Sequence, residues 1–326
     1  MRKGILVFSA ISILSACLAD RDINQNQSVG DTETILDEGV SDFGGTNQLK
    51  YDEHKLVVMT FNVMCSFCSN DRGDNEKWED RVPHFGDIIS RYNPDLIGLQ
   101  ELTYLSEIRD IQNVIKGYRP VFARDLPKNS IGWTVYPDAI ILYREDRFEL
   151  VESGVYWLSP TPDKPWSYGW ADSNIWRIVV WAHLRQISDK RDLYFASTHF
   201  DNNYPNEEKS APVVIERTRD WAKKMPVVVV GDFNSVRGTP AYKILTQEGV
   251  ETDFRLNNSF ESCARWAIVS NQFKEVSYNP KNCYDHIFIS GMASWGCNWW
   301  YVDKSVYGPN SVYPSDHFPV IAELIW

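Results

Sequence analysis

Two mixed β-sheets packed face to face, with helices outside, are the α/β (α+β) architecture this sequence predicts. Three observations carry it. Strand and helix signals alternate in the first part of residues 51–326, and apolar β-branched strands crowd the middle. No strict strand–helix–strand repeat runs through the chain, so a single wound parallel sheet is not expected.

The elements follow in order. "KLVVMTFNV" (55–63) is apolar and β-branched, a strand. Trp78, Val82, Phe85, Ile88, Ile89 and Tyr92 recur at helical spacing over 78–92, and Asn93-Pro94 ends that helix. "DLIGLQE" (95–101) is a buried strand, and Leu102, Leu105, Ile108, Ile111 and Ile115 mark a second amphipathic helix. Strands are expected at 138–144, 147–153, 175–186 and 192–200, the last two joined by a polar turn as in a hairpin. A helix covers about 207–223, followed by the valine run that ends in "VVVVGDFN" (227–234). "CYDHIFIS" (283–290) and "FPVIAELI" (318–325) complete the strands.

A chain of 326 residues with 43% hydrophobic and 24% charged residues can bury a large core, which excludes disorder throughout. The formal charge is −11, which weighs against sequence-independent binding to nucleic acid, where cations must neutralise phosphates. A bound metal in a local cleft can reverse that field, so a nuclease is disfavoured rather than excluded.

The first residues read as a targeting segment. Arg2 and Lys3 precede an apolar run too short for an ordinary membrane span, and Leu14-Ser15-Ala16-Cys17 follows. The quartet resembles the lipobox of bacterial lipoproteins, which implies cleavage after residue 16 and lipid on Cys17; the alternative is a plain secretory signal cut near Ala19. Loss of residues 1–16 removes Arg2 and Lys3 and takes the formal charge from −11 to −13. Residues 17–50 are polar and acidic, a flexible tether between the lipid and a domain at 51–326. The expected setting is a membrane surface outside the cytoplasm, periplasmic or cell-surface, with the protein a monomer. Export favours at least one disulfide among Cys65, Cys68, Cys263, Cys283 and Cys297, with Cys263–Cys283 as the favoured pair. Cys65-Ser66-Phe67-Cys68 has no second Cys-x-x-Cys to complete a zinc site.

Polar residues stand where apolar strands meet loops. Asn62 ends the first strand and Glu101 the second; His199 and Asp201 follow "LYFAST"; Asp232 and Asn234 follow the valines. Asp285 and His286 interrupt "YDHIFIS", and Asp316 and His317 stand before the last strand. Each alone has a bland explanation, a turn cap or a hydrogen-bonded structural histidine. Together they suit one chemistry. Carboxylate and amide oxygens hold a hard cation, an Asp accepts a proton from water, and a His fixed by an Asp stabilises an anion.

The pieces "MTFNVM", "NPDLIGLQE", "ASTHFDN", "VVVGDFNS", "YDHIFIS" and "YPSDHFPVIAEL", in this order over residues 55–325, resemble the endonuclease/exonuclease/phosphatase superfamily, the deoxyribonuclease-I-like proteins. The resemblance implies a four-layer α/β sandwich and a metal-dependent hydrolase of phosphoester bonds. It implies Mg²⁺, with Mn²⁺ as the substitute, on Glu101 with help from Asn62 and Asp316. It makes Asp232 the group that orients or deprotonates the attacking water, and Asn234 a holder of that water or of a phosphate oxygen. His317 would contact the phosphate with Asp285 holding its ring, and His199 would stabilise the transition state. Asp201 and Asn202 are substrate-binding candidates without a settled role. Two positions depart from the family pattern: Ser197, where many members have Asn, and His286, where many have Tyr. Neither removes a metal or base residue.

The substrate stays open between a general phosphodiester or phosphomonoester, a phospholipid as in the sphingomyelinases, and nucleic acid. Tethering and the tryptophans of "WSYGWADSNIWRIVVW" (166–181) favour lipid; Trp170, Arg177 and Trp181 are candidates for the pocket rim, with plain core packing as the alternative for the tryptophans. A non-catalytic binding lipoprotein would be signalled by a degenerate site, and this set is intact.

Overall fold

A computed structural model describes residues 52–68, 77–172, 175–272, 276–291 and 294–326. The expected leader at 1–16 and the expected lipidated Cys17 and tether at 17–50 lie outside the described residues. Among those residues, no helix is long and apolar enough to cross a membrane.

Two mixed sheets form the centre. In chain order the strands are β1 (Lys55–Asn62), β2 (Leu96–Gln100), β3 (Tyr118–Val121), β4 (Ala139–Arg144), β5 (Phe148–Trp157), β6 (Ile178–Gln186), β7 (Asp192–His199), β8 (Val227–Asp232), β9 (Asn257–Asn258), β10 (Trp266–Val269), β11 (Asp285–Ser290), β12 (Gly296–Asp303) and β13 (Val320–Ile325). One sheet runs β10-β12-β13-β1-β2-β4-β3 and the other β5-β6-β7-β8-β11-β9. Helices α1 (Trp78–Tyr92) and α2 (Leu105–Val114) cover the first sheet. Helices α3 (Asn206–Ala222) and α4 (Pro240–Thr246) cover the second. The short α5 (Ser259–Ser262) follows β9. The four-layer sandwich expected from the sequence is present.

Burial explains the composition of the strands. The valines of β8 are all 0% exposed: Val228 and Val230 face the core between the sheets, while Val227 and Val229 face α3 and α4. A strand covered on both faces has no place for a polar side chain until it ends. Gly231 ends it tightly, because a Cβ there would meet the Thr198 carbonyl oxygen at 2.1 Å. Helix α1 buries Trp78, Val82, Phe85, Ile88 and Ile89 on one face and stops at Asn93, whose left-handed backbone precedes Pro94.

Among the described residues the disulfides are Cys65–Cys68 and Cys263–Cys297, and Cys283 is buried and in neither bridge. The expected Cys263–Cys283 pair is therefore corrected. Cys263 bridges to β12 at Cys297 with Cα atoms 4.3 Å apart, whereas the Cys283 thiol donates to the Asp285 carbonyl. The two bridges close loops with separations of 34 and 3 residues, which chain entropy makes worth about 4 and about 2 kcal/mol.

Candidate active site

Strand direction decides which side chains meet. β1, β2, β7 and β8 end at one pole of the sandwich, where the antiparallel β4, β6, β11 and β13 begin. In register, His199 lies opposite Asp232, and Asp232 opposite Asp285. Asn62 lies opposite Gln100 on the facing sheet, one residue before Glu101. The polar strand ends of the sequence thus converge.

Asp232 is the hub. The Nε2 atoms of His199 and His317 each lie 3.5 Å from its Oδ2, and the Asn62 amide donates to the same oxygen at 3.1 Å. The Asn234 backbone N–H donates to Oδ1 at 2.9 Å. Burial alone would raise the Asp232 pKa; the charges of His317 and then His199 outweigh it and hold the carboxyl below its usual range.

Each histidine has a carboxylate behind it. His317 Nδ1 donates to Asp285 Oδ2 at 2.8 Å. Burial favours its neutral ring, but Asp285 and Asp232 outweigh that and raise its pKa well above 6.5. Burial in turn pushes Asp285 up to about 6, against the pull of His317. Behind His199 stands Asp138, with Oδ1 3.4 Å from Nδ1, and Arg177 Nη1 donates to that oxygen at 3.0 Å and lies 2.8 Å from Nδ1. Burial would raise Asp138, yet Arg177 and then His199 keep it low.

Glu101 stands on a left-handed backbone, φ +68°, directly after β2, and accepts from the Asn62 amide at 2.9 Å and the Cys65 N–H at 3.0 Å. Asn234 is left-handed too, φ +46°, and gives its amide N–H to the Phe200 carbonyl at 2.8 Å. Strained residues held in this way mark places where the surroundings fix a geometry. Ser315 joins the last pieces: its hydroxyl donates to the Asn62 carbonyl at 2.7 Å, and the His317 N–H donates to it at 3.2 Å. Below the site, Gln100 donates to Ser197 across the two sheets at 3.2 Å, so the serine at the family's asparagine position has a structural bond.

Several sequence expectations change. Asn62 turns its amide nitrogen, a donor, toward Glu101 and Asp232, while its oxygen accepts from the Met64 N–H at 3.0 Å. It spaces the two carboxylates here through its amide nitrogen. Asp201 is 2% exposed and spent on Asn203 and Asn206; Asn206 in turn accepts from the Trp170 and Ala171 N–H groups. Asp201 therefore anchors the loop at Trp170, and Asn202 beside it is exposed. Trp181 points outward from β6 onto Tyr194 and Trp221, away from the site, because odd positions of that strand face α3. Arg177 belongs to the site, but behind His199. His286 is structural: Nε2 donates to the Ser235 carbonyl at 2.8 Å and Nδ1 accepts from Asn258 at 3.1 Å, and burial lowers its pKa to about 4.

Two residues escaped the sequence. Asp138 opens the strand "AIILYR" just as Asp285 opens "HIFIS", and that symmetry was the available signal. Arg81, 1% exposed on α1, donates to the carbonyls of Val63, Met64, Cys65 and Pro314, so it clasps both loops that carry the site.

The donor set at this pole fits a divalent cation: the ligand atoms of the buried Asp232, Asp285 and His317 lie within 4.8 Å of one another.

A family model for the Endonuclease/Exonuclease/phosphatase family matches residues 59–317. The chain belongs to that family. Endonuclease/exonuclease/phosphatase members are hydrolases of phosphoester bonds, generally dependent on divalent metals. Among solved structures it is similar to the mannosyl-6-phosphatase of Bacteroides thetaiotaomicron, with 29% identity, TM-score 0.70, and coverage of 83% of this chain and 100% of that one. An endonuclease/exonuclease/phosphatase family protein from the same organism gives 28%, 0.69, 83% and 98%. Among curated proteins it is similar to the 3'-5'-exoribonuclease subunit Ccr4 of the CCR4-Not complex of Schizosaccharomyces pombe, 22% identical over 93% of this chain and 53% of that protein. The chain thus spans about half the length of that relative.

Proposed function

We propose that the protein is an exported, lipid-tethered, Mg²⁺-dependent phosphoesterase whose preferred substrate is a soluble phosphorylated carbohydrate. The observation that carries the catalytic reading is the single oxygen of Asp232 shared by two imidazoles, each backed by its own Asp. A metal at Glu101 and Asp316 would supply Lewis-acid stabilisation of phosphoryl charge.

The chain's own groups perform the rest. Asp232, ionised because its pKa is depressed, orients water and accepts its proton as the oxygen attacks phosphorus in line. The Asn234 side-chain oxygen holds that water, since the amide nitrogen is bound to Phe200. His317, cationic between two carboxylates, donates to a phosphoryl oxygen where negative charge develops. His199 Nε2–H donates from the other side, its Nδ1 held by the Arg177 guanidinium that also pairs with Asp138.

The substrate reading rests on the wall next to Arg177. Trp133, Tyr136, Trp166, Tyr168 and Trp176 contact one another there, and Tyr168 stacks on Trp176 at 5.3 Å with 43% of its surface exposed. Aromatic faces beside a phosphate site suit a sugar ring, and the similar mannosyl-6-phosphatase acts on a phosphorylated sugar. Acidic charge weighs against nucleic acid.

The test is a release assay on the full chain with sugar phosphates, bis-p-nitrophenyl phosphate, sphingomyelin, nucleotides, RNA and DNA, each with Mg²⁺ and with EDTA. Mg²⁺-dependent turnover highest on sugar phosphates is expected. Highest turnover on sphingomyelin or nucleic acid overturns the substrate reading.

A further inference from the structure

The Cys65–Cys68 disulfide stands against Glu101. The Cys65 N–H donates to Glu101 Oε2 at 3.0 Å, and the two sulfurs and a Glu101 oxygen all lie within 4.8 Å of one another. Cysteines three apart are a common bite for a tetrahedral soft cation, and the sequence lacked only further donors. The fold supplies one, 36 residues away.

We propose that reduction of Cys65–Cys68 creates a Zn²⁺ site formed by the two thiolates and the Glu101 carboxylate, with water as fourth ligand. Thiolates select Zn²⁺ over Mg²⁺. In the disulfide form neither sulfur can ligate, and Glu101 remains available to a hard cation. In the reduced form the same carboxylate is drawn into a zinc site, so zinc and catalysis exclude each other. The step balances simply. A dithiol passes two electrons and two protons to the disulfide and becomes a disulfide itself; zinc then displaces the two thiol protons.

Two structural facts support the site. The bridge is within reach, since Phe67 between the cysteines is 67% exposed and Cys68 is half-buried. The loop does not depend on the bridge for its position, because Arg81 holds the carbonyls of Val63, Met64 and Cys65 from behind. Cleavage of the S–S bond therefore leaves Cys65 beside Glu101.

The experiment uses the full chain, reduced with a dithiol and desalted without air, beside a Cys65→Ser/Cys68→Ser chain treated identically. Both keep their other cysteines, so reduction of Cys263–Cys297 is common to both. Co²⁺ is added as the spectroscopic probe. One equivalent should give thiolate-to-cobalt charge-transfer absorption in the reduced native chain, removed by Zn²⁺ and absent from the variant and the oxidised chain. In parallel, equimolar Zn²⁺ should lower Mg²⁺-supported phosphate release by about tenfold or more in the reduced native chain alone. Equal absorption in the variant, no absorption, or loss of far-ultraviolet circular dichroism on reduction overturns the proposal. The proposal rests on the metal role of Glu101 for its inhibitory effect; the cobalt spectrum is read without any substrate, so a chain inactive on every phosphoester still tests the site.

Discussion

His199 and His317 aim the same ring atom, Nε2, at one oxygen of Asp232, each from 3.5 Å. They come from opposite sheets' edges of the cleft: one ends β7, the other precedes β13. Their backing differs. His317 faces Asp285 through Nδ1, while the Asp138 behind His199 is paired with the Arg177 guanidinium. Arg177 Nη1, which can only donate, lies 2.8 Å from Nδ1, so Nδ1 is the acceptor and the proton of a neutral His199 sits on Nε2, facing Asp232.

Asp232→Asn should lower kcat by about 10²–10⁴-fold while the fold persists, because the amide keeps the volume but cannot accept a proton. Turnover together with circular dichroism checks this; an unchanged kcat removes Asp232 from the chemistry.

Asp138→Asn should lower kcat with little change in KM, by about 10–100-fold, since the Arg177 guanidinium that orients His199 loses its carboxylate partner. A change confined to KM would place Asp138 in substrate binding instead.

Asp285→Asn should move the alkaline limb of the rate profile to lower pH. The His317 pKa is raised in the native chain, so its cationic form persists until pH climbs through that raised value. Removing the nearest carboxylate lowers that value, and activity should fade earlier as pH rises. The profile of kcat/KM against pH decides it.

His286 should make the native chain acid-sensitive. Its folded pKa, about 4, lies below 6.5, so the stability it contributes is complete above 6.5 and is lost as pH falls through 4. The loss is about 3 kcal/mol for one buried group. His286→Gln should flatten unfolding free energy against pH over that window, measured by urea titration; an unaltered slope assigns the acid sensitivity elsewhere.

Arg81→Met should destabilise the chain by about 3 kcal/mol or more, as it strips donors from four buried carbonyls. Denaturant midpoints check it, and Mg²⁺ affinity should fall with them because both site loops lose their clasp.

Much of this protein was legible residue by residue. Hydrophobic period alone placed β1, α1, β2, β8 and β13 within a residue or two, because long buried elements carry a strong 2.0 or 3.6 periodicity. β12 did not show itself: its Gly-Cys-Asn-Trp-Trp run has no clean alternation and carries a bulge between Cys297 and Trp299. β3 hid behind Pro120 at the sheet edge, and α4 is too short to show a period.

The sequence by itself determined the family, the two-sheet architecture and which strands end in Asn, Glu, His or Asp, since those depend on local pattern and ordered motifs. Tertiary structure alone decided the partners. Asp138 behind His199 lies 61 residues away in sequence, Arg81 and Pro314 meet across 233, and Cys263 chose Cys297 over the nearer Cys283. It also turned Asn62's nitrogen to the carboxylates, buried Asp201 in its own loop and sent Trp181 to the wrong side for substrate. Such choices follow from strand register and from the face on which each side chain emerges, and a linear pattern does not contain them.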